Sequence, residues 1–402
     1  MRPLQPLAPQ GSRDIERLLS RAVDDPIDGL ALRELASKRR SAVIVVPDAT
    51  RRTCLPGVLP VILNRCLVAG ISADSITILV ACGTHPPAPQ DEVATLLGEL
   101  PRGVGFRQHS SRASAELVEV GELRPGIPLE LDREAAQTDL LITVGAVRHH
   151  YFAGFGGGPK MVFPGIAGHD EIQANHSLVL RRAGAGLERH PGCEPGVLKG
   201  NPVAEEIARA ADLRPPDFAV NLVPGRRGGI AWAGAGSWRK AFDSAVRMVR
   251  EWYEIPSERH QYIVACGGGR PGDSTLIQAH KGLDAACRFA EPGAEVVIAA
   301  ELKDGPGSPA MEPFLTDPRQ ASILDRLGEH YVQYGHTLLR ILEKTAKYRV
   351  FLKSSMDHEA AIRLGFNPVN DLAEIADRWR REGVSDRVAV MPETHVWPRI
   401  VR

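Results

Sequence analysis

The chain has 402 residues, with Lys plus Arg and Asp plus Glu both numbering 49, so it carries no formal net charge. That length predicts two domains, each large enough to bury its own core, and the charge balance excludes the dense basic stripe of a nucleic-acid binder. Six scattered cysteines with no Cys-x-x-Cys pair signal neither a disulfide framework nor a zinc knuckle.

The first stretch, MRPLQPLAPQGSRDIERLL, lacks the apolar core of a signal peptide, and no later segment reaches the roughly 18 apolar residues needed to span a bilayer. The expectation is a cytoplasmic protein with neither nucleic acid nor membrane as partner. Continuous β-branched runs then recur at 42 to 46, 76 to 81, 140 to 146 and 218 to 223. Apolar residues without alternation predict strands buried on both faces. Helix-compatible spacing over 55 to 70 and 90 to 100 makes the pattern β-α-β and the class α/β, with mainly parallel sheets. A long amphipathic helix over Trp238 to Tyr253 leads to IPSERHQ, read as a hinge. Buried-strand patterns resume at 262 to 266, 295 to 300, 348 to 353 and 387 to 392. The expected division is an N-terminal cofactor-binding catalytic domain over 1–257, joined by the tail 393–402, and a C-terminal α/β domain over 258–392 that closes over the substrate, with the active site in the cleft between them.

Ligands of open parallel sheets bind beyond the carboxyl ends of the strands. The first strand runs into Asp48-Ala49-Thr50-Arg51, the second into Gly83-Thr84-His85, and the third into Arg148-His149-His150 and the loop from Gly154 through Gly156, Gly157 and Gly158 to Lys160. An acid, histidines, an arginine and a lysine thus meet at one edge. Each has a plain structural alternative. Asp48 and Thr50 are also suited to capping a helix near Cys54. The glycine loop is not a Walker A motif, since Pro159 and Met161 flank the lysine; it is either a flexible turn or a backbone that approaches a ligand closely. His169 and His176 fall seven residues apart on a predicted helix, as a solvated face or as metal-binding candidates. In the second domain Gln278 and Lys281 lie three apart on a predicted helix, where an inward lysine suits a substrate carboxylate.

The stretch His150 to Ala167 followed by Asn175-His176, together with Asp48-Ala49-Thr50-Arg51, Gly83-Thr84-His85 and Gln278-Ala279-His280-Lys281, resembles the four ordered motifs of the nickel-pincer-nucleotide lactate racemases. The resemblance covers essentially the whole chain. It implies that Lys160 carries a covalently attached pyridinium-3-thioamide-5-thiocarboxylic acid mononucleotide holding nickel through two sulfurs and a ring carbon. By the same resemblance His176 is the fourth metal ligand, His85 and His150 are the acid and base, and Arg51, Gln278 and Lys281 hold the substrate. Asp48, Thr50 and the glycines 156 to 158 would attend the cofactor. Square-planar sulfur, carbon and imidazole coordination suits nickel(II). His149 is an alternative to His150, which stands at the family's spacing of ten residues before the lysine.

The implied activity is inversion of the hydroxyl-bearing carbon of a small 2-hydroxy acid by hydride transfer, which avoids the dianion that proton abstraction would create. Two histidines are required because the hydroxyl lies on opposite sides in the two hands. Cofactor-building proteins are the expected transient partners. Arg52 where proline is expected, and Ile277 where an aromatic residue is expected, leave the substrate open among short aliphatic 2-hydroxy acids, malate, aryl lactates and sugar acids. The competing readings are a noncatalytic nucleotide carrier of the same fold and a zinc-dependent hydrolase.

Overall fold

The computed structural model describes residues 1–400 apart from Arg52, Ala185, Arg227 and Pro271. The chain divides into two compact units, one formed by 8–178 and 191–250, the other by 1–7, 179–190 and 251–402.

In the first unit the strands β1 (Ala42–Pro47), β2 (Ile76–Ala81), β3 (Gly105–Gln108), β6 (Leu140–Ala146), β7 (Phe218–Pro224) and β8 (Ile230–Gly236) form one sheet in the order β8-β7-β6-β1-β2-β3. All pairs are parallel except β7 with β8. Between them in sequence, β4 (Leu117–Arg124) and β5 (Ile127–Asp132) make a separate antiparallel hairpin. Every residue of β1 is buried, because Ile44 and Val46 face a core with Leu55, Leu59 and Ile62 of helix α1 (Leu55–Val68) while neighbouring side chains point to the covered opposite face. Burying each such aliphatic side chain is worth about 1.5–3 kcal/mol. The sheet grows from β1 to β2 and β3 on one side and to β6 and β7 on the other. Strand order therefore reverses between β1 and β6, the position at which open α/β sheets bind ligands.

The second unit has its own sheet, in which β9 (His260–Cys266), β10 (Ala290–Ala299), β11 (Arg349–Lys353), β12 (Asn367–Pro368) and β13 (Val388–Met391) run parallel with Arg2–Pro3 at the edge beside β13. Helices cover both faces. Leu276 and Leu283 on one side share a core with Val296 and Ile298, and Ile375 and Trp379 pack with Val297 and Phe351 on the other.

The buried-strand runs of the sequence all become sheet strands. The division of the chain differs from the expected one at four places. Residues 1–7, residues 251–257 and the tail after 393 lie with the C-terminal unit; Arg2–Pro3 extends its sheet and Trp397–Ile400 pairs with Glu254–Ser257. That second pairing makes the expected hinge a strand. The fourth is the hairpin Leu180–Ala183 with Gly186–Arg189, which belongs to the C-terminal unit although its sequence lies inside the N-terminal one. Leu180 packs on that unit's core, and Arg189 pairs with Glu343 at 3.0 Å.

Candidate active site

The chain leaves β1 into a tight turn built on Asp48. Its Oδ1 accepts the backbone N–H of Thr50 at 3.1 Å and the Thr50 hydroxyl at 2.6 Å, and its carbonyl accepts the Arg51 N–H at 3.1 Å. Helix α1 starts later, at Leu55, after a Cys54 that makes no side-chain cap, so neither Asp48 nor Thr50 serves as a cap. The other carboxylate oxygen, Oδ2, lies 2.6 Å from Nδ1 of His85. Burial pushes the Asp48 carboxyl upward, but the hydrogen bond and charge of His85, with Arg51 and Thr50, outweigh it and hold it below the usual range.

His85 follows β2 through Gly83, whose φ of 54° favours glycine. The Gly83 N–H donates to the Gly165 carbonyl at 3.0 Å, which ties this loop to the segment that carries Lys160.

Beyond β6, His149–His150 pairs antiparallel with Gly154–Phe155. Successive side chains of a strand point oppositely. The His149 ring packs on Phe155 with centroids 4.9 Å apart, whereas Nε2 of His150 lies 3.2 Å from Nζ of Lys160. Of the two histidines, His150 is the one beside the lysine. The glycines between them have packing duties. A Cβ on Gly157 would stand 2.6 Å from the Ala146 carbonyl oxygen, and one on Gly158 would stand 2.2 Å from the Phe242 ring. Both also have positive φ, 69° and 52°. Gly156 would meet only the Arg148 and Ala146 oxygens at 3.8 and 4.0 Å. The loop is therefore pressed onto its own sheet and helix, a role that a ligand-cradle reading of the glycines did not anticipate.

Phe152 is the hub of the site. Its ring lies 4.7 Å from His150, 5.1 Å from His176 and 5.6 Å from Lys160 Nζ. His176 sits near the end of helix α2 (His169–Ser177) and is buried. Burial lowers its pKa to about 3 against a weak opposing backbone interaction with Ile172, so the ring is neutral, and its Nδ1 has no partner in good hydrogen-bond geometry. The preceding residue, Asn175, donates to Glu206 at 3.0 Å, and Arg124 bridges the Glu206 carboxylate and the Ala174 carbonyl. His169 is about 10 Å away along the helix axis by its seven-residue offset; it contacts Arg112 and Asp170. The two histidines of this helix do not form one metal site.

Arg51 is exposed on the Asp48 turn. In the C-terminal unit, Gln278 and Lys281 lie on helix Leu276–Arg288, where Lys281 Nζ donates to Gln278 Oε1 at 2.6 Å. His280 between them points into the core, Nδ1 being 2.5 Å from the Ile277 carbonyl. Ile277 is buried; Arg52 lies outside the described residues.

The loops beyond the first sheet therefore carry two groupings: Asp48 with Thr50 and His85, Arg51 being on the same turn, and His150, Lys160 and His176 around Phe152. Sequence reasoning missed Phe152 as the common neighbour, the Asp48–His85 pair, and the Arg124–Glu206–Asn175 chain behind His176. Phe152 stood inside a quoted motif, so aromatic character between His150 and Lys160 was an available signal. Nothing local to Arg124 or Glu206 marks them. Among the described residues no three His, Cys, Asp or Glu side chains gather as a metal-ligand set, and no helix is long and apolar enough to cross a membrane.

Residues 1–187 match the lactate racemase N-terminal domain family. The chain is 28% identical over 389 residues to the lactate racemase of Lactiplantibacillus plantarum, covering 94% of this chain and 89% of that one. It is 32% identical over 293 residues to the lactate racemase of Thermoanaerobacterium thermosaccharolyticum, covering 73% of this chain and 67% of the relative. The structure of the lactate racemase apoprotein from that organism superposes with a TM-score of 0.87 at 27% identity, over 98% of this chain and 94% of the other. A Thermotoga maritima protein shares the fold, with a TM-score of 0.69 at 17% identity over 96% and 97%. With this likeness running through both units, the chain belongs to the lactate racemase family.

Proposed function

We propose that this protein is an isomerase, a racemase or epimerase that inverts C2 of a small 2-hydroxy acid. The observation that carries the reading is the gathering of Lys160, His150 and His176 around Phe152, with an acid-paired His85 on the adjoining loop.

These residues fit a nickel-pincer nucleotide. His176 is a buried neutral imidazole whose Nδ1 has no partner in good hydrogen-bond geometry, and the described residues offer no second and third protein ligand beside it. A metal held by His176 would take its other donors from the pincer group. Lys160 would hold that group covalently, His176 would complete the metal's coordination, and Asp48, Thr50 and the glycines 156 to 158 would line its surroundings. When bound, the group supplies an acceptor for the α-hydrogen as hydride.

The chain's own residues manage the protons and the substrate. His85 takes up the hydroxyl proton of one hand and His150 serves the other. Arg51 on the Asp48 turn, and Gln278 with Lys281 on their helix, are the candidates to bind a substrate carboxylate. A zinc-dependent hydrolase finds no compact ligand triad among the described residues. Cysteines outside any disulfide suit the cytoplasm, where cofactor-building proteins would act on Lys160. The test is production together with those proteins. Nickel and a mass adduct are expected, both lost in Lys160→Ala, with loss of optical activity across a panel of 2-hydroxy acids. Protein lacking nickel, adduct and turnover would overturn the proposal.

A further inference from the structure

The two histidines meet opposite hydrogen-bonding groups at Nδ1. At His85 the partner is the Asp48 carboxylate, 2.6 Å away and held ionised. An ionised carboxylate only accepts, so His85 carries its proton on Nδ1 and, when neutral, keeps Nε2 as its basic nitrogen. At His150 the partner is the backbone N–H of Ala153, 3.2 Å from Nδ1. An amide N–H only donates, so Nδ1 of His150 is bare and the neutral ring keeps its proton on Nε2. We infer that Asp48 is the positioning residue that makes His85 the resting proton acceptor of the site, while His150 rests as a hydrogen-bond donor through Nε2.

This rests on the proposed racemase reading and makes its two proton-handling residues unequal. A substrate hand whose hydroxyl meets His85 passes its proton to Nε2, the O–H electron pair staying on oxygen. The imidazolium so formed lies against the Asp48 carboxylate, which keeps its own charge. The opposite hand meets an N–H at His150. Proton uptake there requires the ring to release Ala153 and move its proton to Nδ1 first. Two enantiomers of a substrate with one stereocentre have equal free energy, so kcat/KM is equal for both. The inequality appears as different kcat and KM values for the two hands.

The tautomers are read directly in the cofactor-free protein labelled with 15N-histidine at pH 8, where an ordinary imidazole is neutral. Long-range 1H–15N correlations, assigned with His85→Gln and His150→Gln, are expected to show Nδ1–H at His85 and Nε2–H at His150. Asp48→Ala should mix the tautomers of His85 and leave the His150 signals unchanged, which also reports an intact fold. In loaded enzyme Asp48→Ala should lower kcat about tenfold or more with KM within about twofold. An Nε2–H tautomer at His85 in the unmodified chain, or an Asp48→Ala spectrum identical to it, overturns the inference. Racemisation by loaded enzyme with matching tautomers sinks the inference alone; opposite tautomers without racemisation sink the functional proposal alone.

Discussion

Nζ of Lys160 lies 3.2 Å from Nε2 of His150, the nitrogen left to carry that ring's proton once Ala153 has occupied Nδ1. An ammonium group has three donors and no acceptor. The contact is a hydrogen bond only when Lys160 is the free amine, the form in which lysine makes covalent bonds.

Lys160 in cofactor-free protein should therefore react first with a substoichiometric acylating reagent, ahead of the exposed Lys199 and Lys303, although it is itself partly buried. Peptide mapping by mass spectrometry reads the order. His150→Phe should remove the advantage. Equal labelling of Lys160 in both proteins would place the proton on the lysine instead.

The glycines before Lys160 carry a steric prediction. Gly157→Ala puts a methyl 2.6 Å from a backbone oxygen at a φ of 69°. With ψ at −161° this is a backbone region occupied essentially by glycine alone, costing a side chain about 1–3 kcal/mol, and forced overpacking costs a further 1–3 kcal/mol or so. A stability loss of about 2–6 kcal/mol in urea unfolding is expected. Gly156→Ala, with nothing nearer than 3.8 Å, should cost far less. Equal losses at both positions would contradict the packing account.

Glu206 acts at a distance from the chemistry. Its carboxylate joins Arg124 to Asn175, the neighbour of His176, and Arg124 is itself about a third exposed, with 32% of its side chain open. Glu206→Ala removes the carboxylate from both, leaving Arg124 with the Ala174 carbonyl and the Asn175 amide with the longer bond to the Val203 carbonyl at 3.3 Å. A loss of about 2 kcal/mol is expected, together with faster nickel release from loaded enzyme in a chelator chase. Unchanged release would assign the network to folding alone.

Buried His280 gives a pH dependence. Burial lowers its pKa to about 3, below its unfolded value of about 6.5. A proton therefore binds the unfolded chain better. The stability linked to neutral His280 is complete above pH 6.5 or so and declines as pH falls toward about 3, by at most about 1.4 kcal/mol per pH unit. Urea midpoints at pH 7.5, 6 and 4.5 should fall less steeply in His280→Gln. Parallel lines for the two proteins would remove this histidine from the acid response.

The strands at 42–47, 76–81, 140–146 and 218–224 were legible from the chain because doubly buried parallel strands need continuous β-branched apolar runs. Polar residues at their carboxyl ends identified Asp48, His85, His150 and Lys160 for the same reason, since topology converges those ends. The antiparallel hairpin 117–132 was not legible. Its strands are half-exposed and interrupted by register shifts, so their periodicity is diluted.

Local sequence thus determined which segments are buried strands and which polar groups end them, because burial on two faces and strand direction are properties of short windows. Only tertiary structure decided that Asp48 serves His85 across 37 residues, that Phe152 stands among His150, Lys160 and His176, and that residues 1–7 and the tail join the C-terminal unit. Hydrogen-bond pairing and ring contact depend on distance in space, and no spacing along the chain encodes which distant donor will meet which acceptor.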